Sequence, residues 1–273
     1  MLDFCMTLIF FATGAILGSF GCCQVWRIRK GDKTKRSHCM KCDYQLKWYD
    51  NVPILSWLLL GGKCRKCRKK IGVTELMAEL ISGVVFALSY LLWPGGLDFV
   101  SGVSPTVGLK FALFLMLLAC FVILFIYDLK WKEMPTLVLW VATGIGVAFC
   151  AVNLLNEHFA GDGLDWGDWS NLIGAIGILP GFYFLMYVMS REKWVGGGDW
   201  ILCLPLAMCL SNVWLAAFVL FGSNMIGVSV MLPMMARANK KKKQRQIPFG
   251  PFLITAFLIV FFCQNALIEF VSF

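Results

Sequence analysis

"FALFLMLLACFVILFIYDLK", residues 111–130, has no charged side chain from Phe111 to Tyr127, and then Asp128 closes the run. A helix of roughly 20 apolar residues crosses the hydrocarbon layer of a bilayer. Comparable apolar runs recur along the 273 residues, of which 59% are hydrophobic and 15% charged. A soluble domain carries about a quarter charged residues. A β-barrel would alternate apolar and polar positions in segments of about ten residues. The pattern predicts an all-α polytopic membrane protein with about eight transmembrane helices, near 4–26, 74–93, 109–127, 136–155, 171–190, 200–212, 214–236 and 248–271. Residues 200–236 also read as one broken helix pair. The start, "MLDFCMTLIF", has no basic flank, so the first helix is expected to be retained. The lipid bilayer is the first partner the composition implies.

The connections carry an orientation. Lysine and arginine total 25, and 24 of them fall in 27–73, 128–135, 191–199 and 237–247, all on one side of an eight-helix arrangement. Lys110 alone falls opposite, and the acidic connection 156–170 has none. Basic connections stay cytoplasmic, so both termini are expected outside. The lysine run at 240–243 then reads as a topology anchor near anionic headgroups. With no aromatic-interleaved basic surface beside it, no nucleic acid partner is expected. The division expected is a first helix (1–26), a cytoplasmic zinc-binding domain (27–73) and a helical membrane domain (74–273), with no internal repeat.

"CMKCDYQLKWYDNVPILSWLLLGGKCRKC", residues 39–67, occupies that cytoplasmic stretch. Eight of the twelve cysteines lie in or beside apolar runs, where free cysteine serves as a small hydrophobe. The other four form the pairs Cys39/Cys42 and Cys64/Cys67. Two C-x-x-C turns give a tetrahedral thiolate cage suited to zinc or iron. Lys41, Lys63, Arg65, Lys66 and Arg68 favour the thiolates. A reducing cytoplasm disfavours disulfides. Four thiolates leave no open position, so a structural zinc is expected, and a metal-free cysteine-rich loop is the alternative.

Few acids approach membrane depth, where ionisable groups are costly and functional by default. Asp128 closes the third helix, Asp199 opens the sixth in "WVGGGDW", and Glu79 lies one turn into the second. The topology puts all three at the cytoplasmic face. Two aspartates brought together share a proton, one acting as base and the other as acid, and can activate water without a metal. Gly196, Gly197 and Gly198 allow close backbone approach to a substrate. Helix caps, solvated charges and an ion path are the competing readings of these acids.

Taken together, these motifs resemble the type IV prepilin peptidase family. "GSF" (18–20) with Arg27, the cysteine stretch, "ELISG" (79–83), "DL" (128–129) with "MP" (134–135), "GGGD" (196–199) and "IPFGPFL" (247–253) follow the family's order and spacing. Cys22, Ile201 and Thr136 depart from the family's usual residues. The resemblance implies an intramembrane aspartic protease of the bacterial inner membrane, also called leader peptidase and N-methyltransferase. It implies prepilin and pseudopilin substrates, whose short basic leader is cut after a glycine, and S-adenosylmethionine as methyl donor to the new amino terminus. It makes Asp128 and Asp199 the catalytic pair and Glu79 a methyl-transfer candidate. It makes Cys39, Cys42, Cys64 and Cys67 zinc ligands, with the zinc loop expected as a platform beneath the protease. The non-enzymatic alternative is an inactive membrane scaffold that binds pilin helices or assembly factors.

Overall fold

A computed structural model describes residues 2–31, 37–39, 41–97, 102–159, 165–192, 194–236 and 248–271. The basic run 237–247 and the middle of the acidic connection, 160–164, lie outside the described residues. The chain divides into two compact units, Met1–Leu97 and Asp98–Phe273.

The first unit pairs α1 (Leu2–Lys30) with α3 (Val73–Leu91), and between them runs the cysteine stretch with a short helix α2 (Leu55–Leu59). Small residues set the α1–α3 contact. A Cβ on Gly14 would come within 2.7 Å of Phe86 Cβ, and one on Gly18 within 2.8 Å of the Ala78 carbonyl. Glycines four apart let two helix backbones approach closely, which drives helix association in lipid where apolar burial does not.

The second unit holds α4 (Pro105–Trp131), α5 (Thr136–Phe159), α6 (Trp166–Ser190), α7 (Gly197–Leu210), α8 (Val213–Ala236), α9 (Gly250–Phe262) and α10 (Gln264–Val271). Helix α4 packs on α5 and α9, α7 on α5 and α6, and α8 on α6 and α9. The seam between α4 and α9 is aromatic: Phe114 stacks on Phe261 at 4.3 Å, and Phe121 meets Phe257 edge-on at 5.7 Å. All four rings are buried.

Helical segments stand at all eight expected places, and no strand occurs among the described residues. Six are long and apolar enough to cross a membrane. One of the other two differs from expectation. The run at 248–271 is broken at Cys263, where α9 and α10 meet at 74°. Polar Gln264 and Asn265 follow the break as the first residues of α10. Helix α7 has 14 residues, as short as the helix expected at 200–212, and left-handed Ser211 (φ 47°) separates it from α8.

Candidate active site and metal centre

Asp128 lies in the last turn of α4 and is 4% exposed. Lys132, left-handed at φ 58°, ends the helix by returning its N–H to the Asp128 carbonyl at 2.8 Å. The carboxylate is held from elsewhere: the backbone N–H of Gly250, first residue of α9, donates to Asp128 Oδ2 at 2.9 Å. Asp199 sits in the first turn of α7, and its Oδ2 accepts from the Gly196 N–H at 3.1 Å. An acid in that position reaches back to an amide that the helix cannot itself satisfy.

The two aspartates, from different helices, lie within electrostatic reach of each other. In each, Oδ2 is committed to a backbone amide, and Oδ1 has no hydrogen bond among the described residues. Two carboxyl groups brought close together can share a proton.

Met134 fills the space beside them. A Cβ on Gly250 would collide with Met134 Cε and stand 2.9 Å from Asp128 Oδ2, and one on Gly198 would meet Met134 Cβ at 3.0 Å. A side chain at 250 would thus displace the Met134 tip and crowd the carboxylate, and one at 198 would need Met134 to give by a few tenths of an ångström. Gly197 faces the Tyr187 ring, and Gly196 is the exposed N-cap of α7. Behind Asp199, buried Tyr183 bonds Ser223 Oγ at 3.2 Å and Asn224 Nδ2 at 3.1 Å, and its ring lies 5.5 Å from Phe249. Tyr183 is within electrostatic reach of Asp199.

Gly250, Met134 and Tyr183 are the residues that reading the sequence did not single out. "MP" and "IPFGPFL" carried a signal for the first two, as motifs without an assigned partner. Tyr183, inside "LPGFYFLMY", carried none, because its role depends on α8.

Glu79 belongs to the first unit. It is buried on α3, and its Oε2 accepts from the Ile54 N–H at 2.7 Å. Ile54 has φ 63° and ψ −55°, a region that a β-branched residue rarely adopts. A strained residue persists where its surroundings over-determine it. Here the carboxylate grips the amide from one side and α2 begins on the other.

The four cysteines form two copies of one turn. Asp43 and Arg68, each four residues after the first cysteine of its pair, are left-handed at φ 51° and 56°. Bridges His38–Gln45 and Lys63–Lys70 flank the two turns in the same register. This short repeat is hidden in sequence because only the cysteines coincide. The four sulfurs lie within 4.8 Å of one another, with Cys39–Cys67 and Cys42–Cys64 at 4.0 Å. Zinc at about 2.3 Å from each sulfur needs sulfurs about 3.8 Å apart. The donor set and its spacing fit a tetrahedral divalent metal.

The Cys67 and Lys66 amides draw the Cys64 thiol down to about 7 against the cost of its burial. The Tyr44 amide acts the same way on Cys42, but desolvation and the three neighbouring sulfurs together push that thiol up to about 11. Four thiols of unequal acidity in mutual contact suit a cation that takes all four as thiolates. Asp50, its side chain 1% exposed, ties the module together: Oδ1 accepts from Arg65 Nε at 2.7 Å and Oδ2 from the Lys47 N–H at 3.2 Å.

The chain is 26% identical to a prepilin leader peptidase/N-methyltransferase of Vibrio cholerae serotype O1, over 96% of this chain and 98% of that one. This chain is a relative of the prepilin peptidases. It is 29% identical to a type 4 prepilin-like proteins leader peptide-processing enzyme of Escherichia coli O78:H11, over 80% of this chain and 72% of that one. It is 30% identical to a prepilin leader peptidase/N-methyltransferase of Burkholderia pseudomallei, over 80% of this chain and 64% of that one. Residues 12–93 match the family model for the bacterial peptidase A24 N-terminal domain. Glu79 and the four cysteines fall inside that match, and Asp128 and Asp199 fall beyond it. No solved structure matches the chain.

Proposed function

We propose that this protein is a membrane-embedded aspartic endopeptidase that removes the short basic leader of prepilins or pseudopilins after a glycine. The observation that carries the reading is the pair Asp128 and Asp199, each held through Oδ2 by a backbone amide with Oδ1 left without a hydrogen bond among the described residues. One aspartate, ionised, takes a proton from water as the oxygen attacks the scissile carbonyl. The other, protonated, gives its proton to that carbonyl oxygen. Collapse of the tetrahedral intermediate breaks the C–N bond, and the leaving amine takes a proton from the pair.

The basic connections support placing this site at the cytoplasmic face of the bacterial inner membrane, with both termini outside. A prepilin's scissile bond falls where a basic leader meets an apolar helix, and a site at the ends of α4, α7 and α9 suits that junction. The segment 27–73 acts as the zinc-binding domain between a first helix (1–26) and the helical domain of 74–273. Cys39, Cys42, Cys64 and Cys67 would hold structural zinc, which fixes the fold of the cysteine module.

Methylation of the new amino terminus follows, as the relatives' names suggest. S-adenosylmethionine supplies the methyl group. Glu79 is the methyl-transfer candidate: its buried carboxylate keeps Oε1 free among the described residues, and a carboxylate suits holding an amino group.

The test is purified protein with a candidate prepilin, with and without S-adenosylmethionine, read by mass spectrometry. Leader release by the parent and its loss in Asp128→Asn and Asp199→Asn are expected. Binding of the prepilin without cutting would instead support the scaffold reading.

A further inference from the structure

The segment Val52–Gly62, "VPILSWLLLGG", has no charged residue, yet it lies inside a strongly basic module. Leu55 and Leu58 are each 58% exposed and Leu59 is 86% exposed. Water would disfavour such a cluster, and exposed apolar patches mark an interaction surface.

The Glu79 contact fixes the height of this cluster. Helix α3 has 19 residues, so it is about 28 Å long, close to the thickness of the hydrocarbon layer. Glu79 stands six residues in from Val73, about 9 Å along the helix axis. The Ile54 amide is bonded to Glu79, so α2 begins beside the second turn of a membrane-crossing helix. That depth matches the 5–10 Å to which interfacial helices sink.

The backbone meets the demand that apolar surroundings make. Amides outside a helix ladder must find acceptors inside the protein when lipid surrounds them. Leu55 donates to the Pro53 carbonyl, Ser56 to Val52, Gly61 to Leu58 and Gly62 to Trp57. The Ile54 N–H, which lies ahead of the helix ladder, donates to Glu79.

The surroundings of the segment match headgroups. Between Cys39 and Lys70 stand eight lysines and arginines against two aspartates. Lys47, Lys63, Arg65 and Lys66 are exposed, and Trp48 is 81% exposed. Basic side chains beside a half-sunk apolar segment attract anionic lipid.

We propose that α2 with its flanking residues is an interfacial membrane anchor. Leu55, Leu58 and Leu59 sit in the acyl-chain boundary of a leaflet rich in anionic lipid, and Glu79 pins the segment there. The cysteine module then rests on the bilayer surface and does not hang from two connecting strands. This inference needs only the membrane-crossing reading of α1 and α3 and no assumption about the reaction.

The test uses the full-length protein in nanodiscs containing phosphatidylglycerol, with no substrate. A fluorescent amino acid is placed at Leu59, at Leu55, at Met77 on the exposed face of α3, or at Lys66. Quenching by lipid brominated on its acyl chains is measured, and protease resistance equal to the parent's between Cys39 and Cys67 confirms that each labelled module is folded. Quenching at Leu59 and Leu55 should approach that at Met77 and exceed that at Lys66 by about threefold. Equal, weak quenching at Leu55, Leu59 and Lys66 would overturn the proposal. So would a photoreactive residue at Leu59 that crosslinks only to protein and to no lipid.

Discussion

The backbone amide of Gly250 holds Asp128 Oδ2 at 2.9 Å across 122 residues of chain. This bond brings the start of α9 to the end of α4 and turns the Asp128 carboxylate so that one oxygen stays free. A methyl group on residue 250 would collide with Met134 and crowd the same oxygen. Gly250→Ala should therefore lower prepilin cleavage by at least about tenfold, or about 1.4 kcal/mol in the barrier. Full activity in Gly250→Ala would show that the amide does not orient the carboxylate.

Asp128→Asn and Asp199→Asn should each reduce cleavage by about 10²–10⁴-fold, the range of acid–base catalysis. The pair acts as one unit, so the double variant should be no worse than either single one. Multiplying losses, measured in single-turnover assays, would mean that the two groups act separately.

Glu79 has two roles to separate. Glu79→Ala should harm methylation more than cleavage, read as the methylated fraction of the released pilin. It also leaves the Ile54 N–H without its acceptor. Glu79→Gln keeps an acceptor oxygen for that amide and removes the charge. If only the charge serves methyl transfer, Gln should lose methylation while the module stays as resistant to protease as in the parent.

Asp50 is the buried clasp of the cysteine module. Asp50→Ala leaves the Lys47 amide unpaired and releases Arg65, and it should cost roughly 2 kcal/mol. Faster proteolysis between Cys39 and Cys67, with metal still bound at saturating zinc, is the expected readout.

Metal analysis should give about one zinc per chain, falling in Cys39→Ser/Cys42→Ser. Structural zinc contributes on the order of 10 kcal/mol to small modules of this kind. Chelation should therefore expose the 27–73 segment to protease. A zinc-free preparation with full activity and an intact module would remove the metal from the account.

Much of this molecule was legible one segment at a time. The run 111–130 is apolar enough to name its own environment, and the paired cysteines name their own chemistry, because both signals are local. The helix ends were less so. Gly197 and Gly198 look like loop, yet they lie inside α7, since Asp199 caps the turn that contains them. The break at Cys263 carried only the faint signal of two polar residues after an apolar run.

By itself, the sequence determined that the chain is helical and membrane-bound, that four cysteines suit a metal, and that very few acids approach the apolar segments. Solvent transfer and ligand chemistry depend on residue type and spacing along the chain, so they can be read without a fold. Only the tertiary structure decided that Gly250 orients Asp128, that Met134 wedges between two glycines, and that Glu79 grips Ile54. Those contacts join residues distant in sequence, and no periodicity records which helix faces which.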